Sequence, residues 1–542
     1  MWLLPAFLVA AAVGRSQATT TYNTTRCSQI ASLALGGNGS AITLTDSIKN
    51  GTSFTGNTSE TSYNTEQTDL PASCRVAFTV QTSANSSAGA EIWLPESSTW
   101  AGRFLSVGNG GFAGAVNYPD LVWGLRKGFA AMSTDTGHHS SESDGSFLSY
   151  PEQSIDWGHR ALHLTTIAAK QIVEAYYNTD ISHAYYAGCS TGGRQGLNAA
   201  QRYPEDYDGV LVGSAIPWQT HTSAWQTYVA LEQYPSNRSS YIPSTMWPVI
   251  AQAVLVQCDG IDGVIDGIIM DPSKCIFHPE VLLCGMPTAN QSACFNSAQA
   301  ENLNRMFRPW LSSNGTLINP GIAHSGEATF EYLMDSAEPE FVAFYEYGVV
   351  NNSDWDWRTM SVDTVALADS INPGGSNAYN PDMRPFQDAG GKVIQYHGYA
   401  DYLVPTYNAP AWYDKLVGYY SDIGRGGEVT DFYRLFTVPG MGHCSGGVGA
   451  WVVDGASQGG IVPPTDDSSH SMLWSLVDWV ESENGTPAPG PESVVGTKYV
   501  NDTASQGVEL QRPVCRWPNV AEWIGGDVNS TSSWVCPKSG IY

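Results

Sequence analysis

Ser190, Asp401 and His443 lie in three short motifs whose residue types suit nucleophilic catalysis. Ser190 is the central residue of the segment 188–192, GCSTG, which has the form G-x-S-x-G. A serine hydroxyl is a poor nucleophile at neutral pH, and it needs a base that accepts its proton. We therefore predict that Ser190 is a nucleophile, that His443 is its base, and that Asp401 orients the imidazole and stabilises its protonated form.

Each of these three residues directly follows or lies just beyond a predicted β-strand. The strands are His183–Ala187, Lys392–Tyr396 and Phe432–Val438. A predicted helix, Gly192–Tyr203, follows Ser190, and this strand–turn–helix context is what a nucleophile elbow requires. The chain order serine, acid, histidine, with each residue at the end of a strand, indicates an α/β-hydrolase fold.

Strands and helices alternate along two parts of the chain, which predicts a parallel sheet with helices on both faces. Further strand-like runs lie at 103–107, 129–132 and 209–213, and further helices at 159–177, 410–420 and 471–481. Residues 19–90 give few periodic signals. Residues 219–386 lack the alternation and contain four of the ten cysteines. We predict a discontinuous catalytic domain, residues 19–218 and 387–542, interrupted by a lid domain at 219–386.

Two backbone amides are candidates for an oxyanion hole, which acyl transfer needs to stabilise the charge on the carbonyl oxygen. The first is the N–H of Thr191, the residue after the nucleophile. The second is expected in the loop after an early strand, where the glycine-rich segment 108–111 allows a close approach of the backbone. Gly110 is the predicted donor, and Gly111 is the alternative.

Two cysteines adjoin the predicted catalytic residues. Cys189 precedes Ser190, and Cys444 follows His443. The side chains of a nucleophile and its base lie within hydrogen-bond reach, so their chain neighbours are close in space. A Cys189–Cys444 disulfide would therefore join the two motifs covalently. The alternative is that the two cysteines pair elsewhere.

An acidic, glycine-rich segment lies in the predicted lid at 258–268, CDGIDGVIDGI. Calcium takes six to eight oxygen ligands. A folded-back loop could supply the carboxylates of Asp259, Asp262 and Asp266 and the carbonyls of Val264 and Ile268. The spacing is not that of an EF-hand, and ordinary solvated turns explain these residues equally well. A calcium ion here would be structural.

Composition limits the class of protein and its compartment. The 542 residues carry 25 basic and 52 acidic side chains, a net charge of −27, which disfavours binding to nucleic acid. No internal apolar stretch is long enough to span a membrane. Residues 1–18 resemble a secretory signal peptide, with a membrane anchor as the alternative. An even cysteine count and twelve N-x-S/T sequons fit a secreted glycoprotein, with the sequons at Asn23, Asn38, Asn50, Asn57, Asn85, Asn237, Asn290, Asn314, Asn351, Asn484, Asn501 and Asn529.

The motifs GCSTGG, HGYAD and GMGHC together resemble those of the tannase and feruloyl esterase family. The resemblance extends from about Cys27 to Cys536 and implies an α/β-hydrolase with a lid insert. It implies the Cys189–Cys444 disulfide and a structural Ca²⁺ ion in the lid, with no organic cofactor. By the same resemblance, the other disulfides are Cys27–Cys74, Cys258–Cys275, Cys284–Cys294 and Cys515–Cys536.

The resemblance also implies a secreted esterase that hydrolyses feruloyl or other hydroxycinnamoyl esters of plant cell-wall polysaccharides, such as xylan. The close alternative is a tannase that cleaves galloyl esters. A non-catalytic glycoprotein that uses a hydrolase fold for binding is an alternative from another class, and a serine peptidase is a third. We expect a monomer or a homodimer.

Overall fold

A computed structural model of the protein describes residues 24–36, 39–333, 339–481 and 489–537. The predicted signal peptide, residues 1–18, lies outside these ranges. The strands are β1 (Ala41–Ile48), β2 (Thr52–Phe54), β3 (Gln67–Leu70), β4 (Ser73–Ser83), β5 (Ser86–Pro95), β6 (Arg103–Val107), β7 (Ala130–Thr134), β8 (His183–Cys189), β9 (Gly209–Gly213), β10 (Trp310–Leu311), β11 (Leu317–Asn319), β12 (Lys392–Gly398), β13 (Tyr433–Val438), β14 (Ser493–Tyr499), β15 (Val508–Cys515), β16 (Glu522–Trp523) and β17 (Trp534–Val535).

The α-helices of the described ranges alternate with the later strands of the sheet. They are α1 (Thr24–Ile30), α2 (Tyr118–Arg126), α3 (Pro151–Ile155), α4 (Ala161–Tyr177), α5 (Thr191–Arg202), α6 (Gln219–Gln233), α7 (Trp247–Cys258), α8 (Ser297–Phe307), α9 (Pro339–Ala343), α10 (Val362–Ile371), α11 (Arg384–Asp388), α12 (Asn408–Asp422), α13 (Val429–Phe432) and α14 (Met472–Val480). No helix in the described ranges is both long enough and apolar enough to cross a membrane.

A nine-stranded sheet lies at the centre, in the order β1-β4-β5-β7-β6-β8-β9-β12-β13. The strands from β7 to β13 in this order are parallel, as the sequence predicts. The first three strands pair antiparallel, and they lie mainly in residues 19–90, where the sequence gives few periodic signals and predicts no strands. The reason for this pairing is local, because residues 84–85 alone connect β4 to β5 and such a short connection produces an antiparallel hairpin.

Helices cover both faces of the sheet, and successive strand residues point to opposite faces. Tyr186 and Val210 lie on one face, in a buried cluster that includes residues of α4, α5 and α12. Tyr185 and Leu211 lie on the other face, in a cluster that includes residues of α2 and α14. The protein therefore has the α/β-hydrolase fold, as predicted.

The inserted segment enters after β9 and leaves before β12, although these two strands are neighbours in the sheet. Its hairpin, β10–β11, is separate from the central sheet. It has an apolar cluster of its own, which includes Trp225, Trp247 and Phe295. Tyr402 and Leu403, next to Asp401, pack against this cluster. The insert therefore contacts one of the predicted catalytic loops, and its boundaries at 219 and 386 stay a prediction.

Candidate active site

Ser190 lies at a sharp turn between β8 and α5. Its backbone has φ 61° and ψ −123°, a conformation that costs a non-glycine residue about 1–3 kcal/mol. Its N–H donates to the carbonyl of Gly213 at 3.0 Å. A Cβ atom on Gly188 would lie 2.7 Å from the carbonyl carbon of Gly192, so only glycine fits before the turn. The local sequence thus folds into the nucleophile elbow that the motif predicts.

His443 and Asp401 are hydrogen-bonded to each other across the ends of β12 and β13. The Nδ1 atom of His443 lies 2.9 Å from Oδ2 and 3.1 Å from Oδ1 of Asp401. Asp401 is fully buried, and its Oδ1 also accepts from the N–H groups of Leu403 and Val404 at 2.9 Å each. Burial acts to raise the pKa of Asp401, but the interactions with His443, His397 and the N–H of Val404 together outweigh it and the net shift is downward. Asp401 is therefore ionised at neutral pH.

A second imidazole lies on the other side of Asp401. The Nε2 atom of His397 is 3.4 Å from Oδ2 of Asp401 and 3.2 Å from the carbonyl of Val404. Burial lowers the pKa of His397, so the ring is neutral and one of its nitrogens lacks a hydrogen. Sequence reasoning assigned no role to His397, although its position four residues before Asp401 in HGYAD was a usable signal.

Ser190 and His443 line the same cavity, which has a volume of about 410 Å³. The described hydrogen bonds of the His443 ring run to Asp401, and none runs from the ring to Ser190. In enzymes without bound substrate this contact is often long, and it shortens when substrate binds. The cavity is lined by Ser62, Tyr63, Gly110, Gly111, Glu142, Cys189, Ser190, Tyr402, Leu403, His443, Cys444, Ser445 and Ser457.

The two predicted oxyanion donors differ in what they contact. Thr191 is the first residue of α5, where backbone N–H groups have no partner within the helix. The N–H of Gly110 donates to the phenolic oxygen of Tyr63 at 2.6 Å. No sequence pattern indicates Tyr63 here, because it lies 47 residues before Gly110 in the weakly patterned N-terminal part of the chain.

The Cys189–Cys444 disulfide joins the predicted nucleophile and base loops, and its Cα atoms are 5.9 Å apart. It connects residues 255 positions apart in sequence. The other disulfides of the structure are Cys27–Cys74, Cys258–Cys275, Cys284–Cys294 and Cys515–Cys536. All five pairs are those that the family resemblance implies.

We expect that replacing Cys189 and Cys444 together by serine will lower the activity and lower the free energy of unfolding by about 2–5 kcal/mol. The disulfide closes a loop of 255 residues, so its loss both frees the unfolded chain and lets the two loops separate. Chemical denaturation and kcat are the measurements. The matched control is Cys284→Ser with Cys294→Ser, which opens a loop of only 10 residues in the insert. Equal effects of the two double variants would contradict a specific role for Cys189–Cys444.

The acidic loop in the insert follows α7 and is folded back on itself. Oδ1 of Asp259 accepts from the N–H groups of Asp266 and Gly267 at 3.3 and 3.1 Å. Asp266 is paired with Arg512. Asp262 accepts from the N–H of Val264 at 2.9 Å through Oδ1, whereas its Oδ2 is buried and has no hydrogen-bond partner. In the part of the chain that the structure describes, no three His, Cys, Asp or Glu side chains form a group that could hold a metal.

Comparison with known proteins places the chain in a family. The family model described as tannase and feruloyl esterase matches residues 74–537. A probable feruloyl esterase B-1 of Aspergillus flavus is 34% identical over 467 residues, which cover 85% of this chain and 86% of that protein. A probable feruloyl esterase B-2 of Aspergillus terreus matches with the same identity and coverage.

Solved structures agree with this assignment. The crystal structure of feruloyl esterase B from Aspergillus oryzae is 29% identical, with a TM-score of 0.86, and covers 95% of this chain and 99% of its own. Tannin acyl hydrolase from Aspergillus niger has a TM-score of 0.73 at 20% identity, over 95% of this chain and 94% of its own, which shows the shared fold alone. The chain therefore belongs to the tannase and feruloyl esterase family and is a carboxylic ester hydrolase.

Proposed function

We propose that this protein is a serine esterase that hydrolyses esters of phenolic acids, above all feruloyl and other hydroxycinnamoyl esters of plant cell-wall polysaccharides. The similarity to proteins named feruloyl esterase B supports this substrate class. One structural observation carries the mechanism. His443, hydrogen-bonded to buried Asp401, lines the same cavity as Ser190, and a disulfide joins the neighbours of both residues.

In the proposed reaction, Nε2 of His443 accepts the proton of the Ser190 hydroxyl as the serine oxygen attacks the ester carbonyl. Asp401 orients the ring through Nδ1 and stabilises the imidazolium that forms. The carbonyl oxygen becomes an oxyanion, which the N–H of Thr191 and the positive end of α5 stabilise. His443 then gives its proton to the leaving alcohol, and it activates water to hydrolyse the acyl-enzyme.

Hydrolysis of methyl ferulate and methyl gallate under identical conditions tests the substrate class. We expect the kcat/KM for methyl ferulate to exceed that for methyl gallate by at least about tenfold, a transition-state difference of about 1.4 kcal/mol. Tannase activity is the second candidate, because the matched family contains both kinds of enzyme. A preference for gallate would replace the first proposal by the second. Hydrolysis of neither ester would favour the binding-protein alternative and contradict both.

We also propose that the protein is secreted. Five disulfides in the described part of the chain suit an oxidising compartment, in which such bonds form and persist. The segment that resembles a signal peptide and the twelve sequons support the same location. Expression in a eukaryotic host tests this, with the protein and its glycans expected in the medium. Retention of unglycosylated protein inside the cells would contradict the proposal.

We propose that the acidic loop of the insert holds a structural Ca²⁺ ion. The buried Oδ2 of Asp262 has no hydrogen-bond partner, and Asp259 and Asp266 lie in the same loop. In the described residues the three carboxylates do not converge into one metal-binding group, so an ion would have to draw them together. Asp266 is already paired with Arg512, so the carbonyls of Val264 and Ile268 would have to complete the ligand set. An ion at this loop would compensate the buried charge of Asp262 and tie the insert to the C-terminal segment through the Asp266–Arg512 pair.

Removal of calcium should lower the Tm by about 5 °C, because an ion that binds only the folded state adds its binding free energy to stability. The measurement is thermal unfolding with and without EGTA, followed by addition of excess CaCl₂. An Asp262→Asn variant should have the lower Tm in both conditions. Metal analysis that finds no calcium in the purified protein, together with an unchanged Tm in EGTA, would contradict the calcium site.

A further inference from the structure

Tyr63 lines the candidate active-site cavity, and its hydroxyl has one hydrogen to donate. Its oxygen accepts the N–H of Gly110 at 2.6 Å, and Tyr63 lines the cavity beside Ser190 and His443. A phenolic hydroxyl also donates one hydrogen bond. Among the hydrogen bonds of the described residues, the phenolic oxygen takes part only in the one that Gly110 donates. The hydrogen of Tyr63 is therefore available to a molecule in the cavity.

The turn that carries Tyr63 is fixed in place by buried hydrogen bonds. Glu60 is 4% exposed and accepts from the N–H of Ser62 through one carboxylate oxygen and from the N–H of Glu142 through the other, both at 2.8 Å. Ser59 lies 3.1 Å from the carbonyls of Gly114 and Ser140. These contacts join the N-terminal turn to the loops beside the cavity, so the phenol is held in position before substrate binds.

We propose that the Tyr63 hydroxyl is the second oxyanion donor of this esterase, and that the Gly110 amide acts through it. The inference rests on the proposed serine-esterase mechanism. When the Ser190 oxygen bonds to the carbonyl carbon, the electron pair of the C=O bond moves to oxygen. Tyr63 donates a hydrogen bond to that oxyanion and keeps its proton, so no proton is transferred.

Two features make Tyr63 suitable for this role. Burial raises the pKa of Tyr63, outweighing the hydrogen bond from Gly110, so the phenol stays protonated at neutral pH. The Gly110 N–H polarises the phenolic oxygen, and a donor that itself accepts a hydrogen bond is strengthened by that chain. The predicted second donor, Gly110, would then contribute indirectly and not by direct contact.

The test is Tyr63→Phe, which removes one oxygen atom and leaves the Glu60 contacts of the turn intact. We expect kcat on methyl ferulate to fall by about 10²–10³-fold with KM changed by less than about threefold, because an oxyanion donor acts in the transition state. Inhibition by phenylboronic acid, which forms a tetrahedral adduct with a nucleophilic serine, should weaken by a similar factor. The affinity for the product, ferulate, should stay unchanged. Tyr150→Phe, at an exposed tyrosine outside the cavity, is the matched control.

A purely structural role for Tyr63 predicts the opposite result. If Tyr63 only covers the Gly110 amide, Tyr63→Phe will leave kcat unchanged or raise it, and phenylboronic acid will bind at least as tightly. Either result overturns the inference while leaving the serine-esterase proposal intact. If the unmodified protein cleaves neither ester, the proposed function fails first and this inference fails with it.

Discussion

Replacing Ser190 by alanine should lower kcat on methyl ferulate by about 10⁵-fold, equivalent to about 7 kcal/mol of transition-state stabilisation. The change removes the atom that would form the acyl-enzyme and leaves His443 without a proton to accept. Folding should be unaffected, since Ser190 donates to Gly213 only through its backbone N–H. Steady-state kinetics and thermal unfolding of the same preparation measure both expectations.

The matched control is Ser98→Ala, at an exposed position in the turn that follows β5, outside the cavity and outside every sequon. It should have the kcat and the Tm of the unmodified protein. If Ser190→Ala keeps more than about 1% of the activity, hydrolysis does not depend on this hydroxyl, and the nucleophile assignment is wrong. A large fall in Tm would instead show that the hydroxyl stabilises the turn.

Replacing Asp401 by asparagine should lower kcat by about 10⁴-fold. Asparagine keeps the shape of the buried side chain and can still accept from the N–H groups of Leu403 and Val404. It has no charge to stabilise the imidazolium, and its amide can donate to Nδ1 of His443 and favour the wrong tautomer. The measurement is kcat over the pH range in which the variant stays folded.

Asp422→Asn, at the exposed end of α12, is the control for the same chemical change, and it should leave kcat unaltered. A decrease of less than about tenfold in Asp401→Asn would contradict the orienting role of Asp401.

The sequence was most informative where a residue pattern and a strand end coincided. The positions of Ser190 and His443 in the fold could be predicted because each lies in a glycine-rich turn after a strongly apolar strand, and parallel strands present their carboxyl ends at one edge. The cysteine beside each residue added a second, independent constraint. These strands, β8 and β13, are buried on both faces, which makes their apolar runs easy to recognise.

Other parts of the fold and site gave weak local signals. The edge strand β1 is largely exposed and shows little apolar alternation, so the antiparallel edge was missed. The turn that carries Tyr63 is held beside the cavity by long-range contacts such as the hydrogen bond that the N–H of Glu142 donates to Glu60, and no local pattern encodes such contacts. The ion pair between Asp266 and Arg512 likewise joins residues 246 positions apart, and no local pattern encodes it.

The most direct test of the account is covalent labelling with a fluorophosphonate, followed by mass spectrometry of the digested protein. We predict one adduct, on the peptide that contains Ser190. The adduct should be lost in Ser190→Ala and should form much more slowly in Asp401→Asn. Ester hydrolysis that persists while Ser190 remains unlabelled, or an adduct on another residue that abolishes activity, would contradict the central claim.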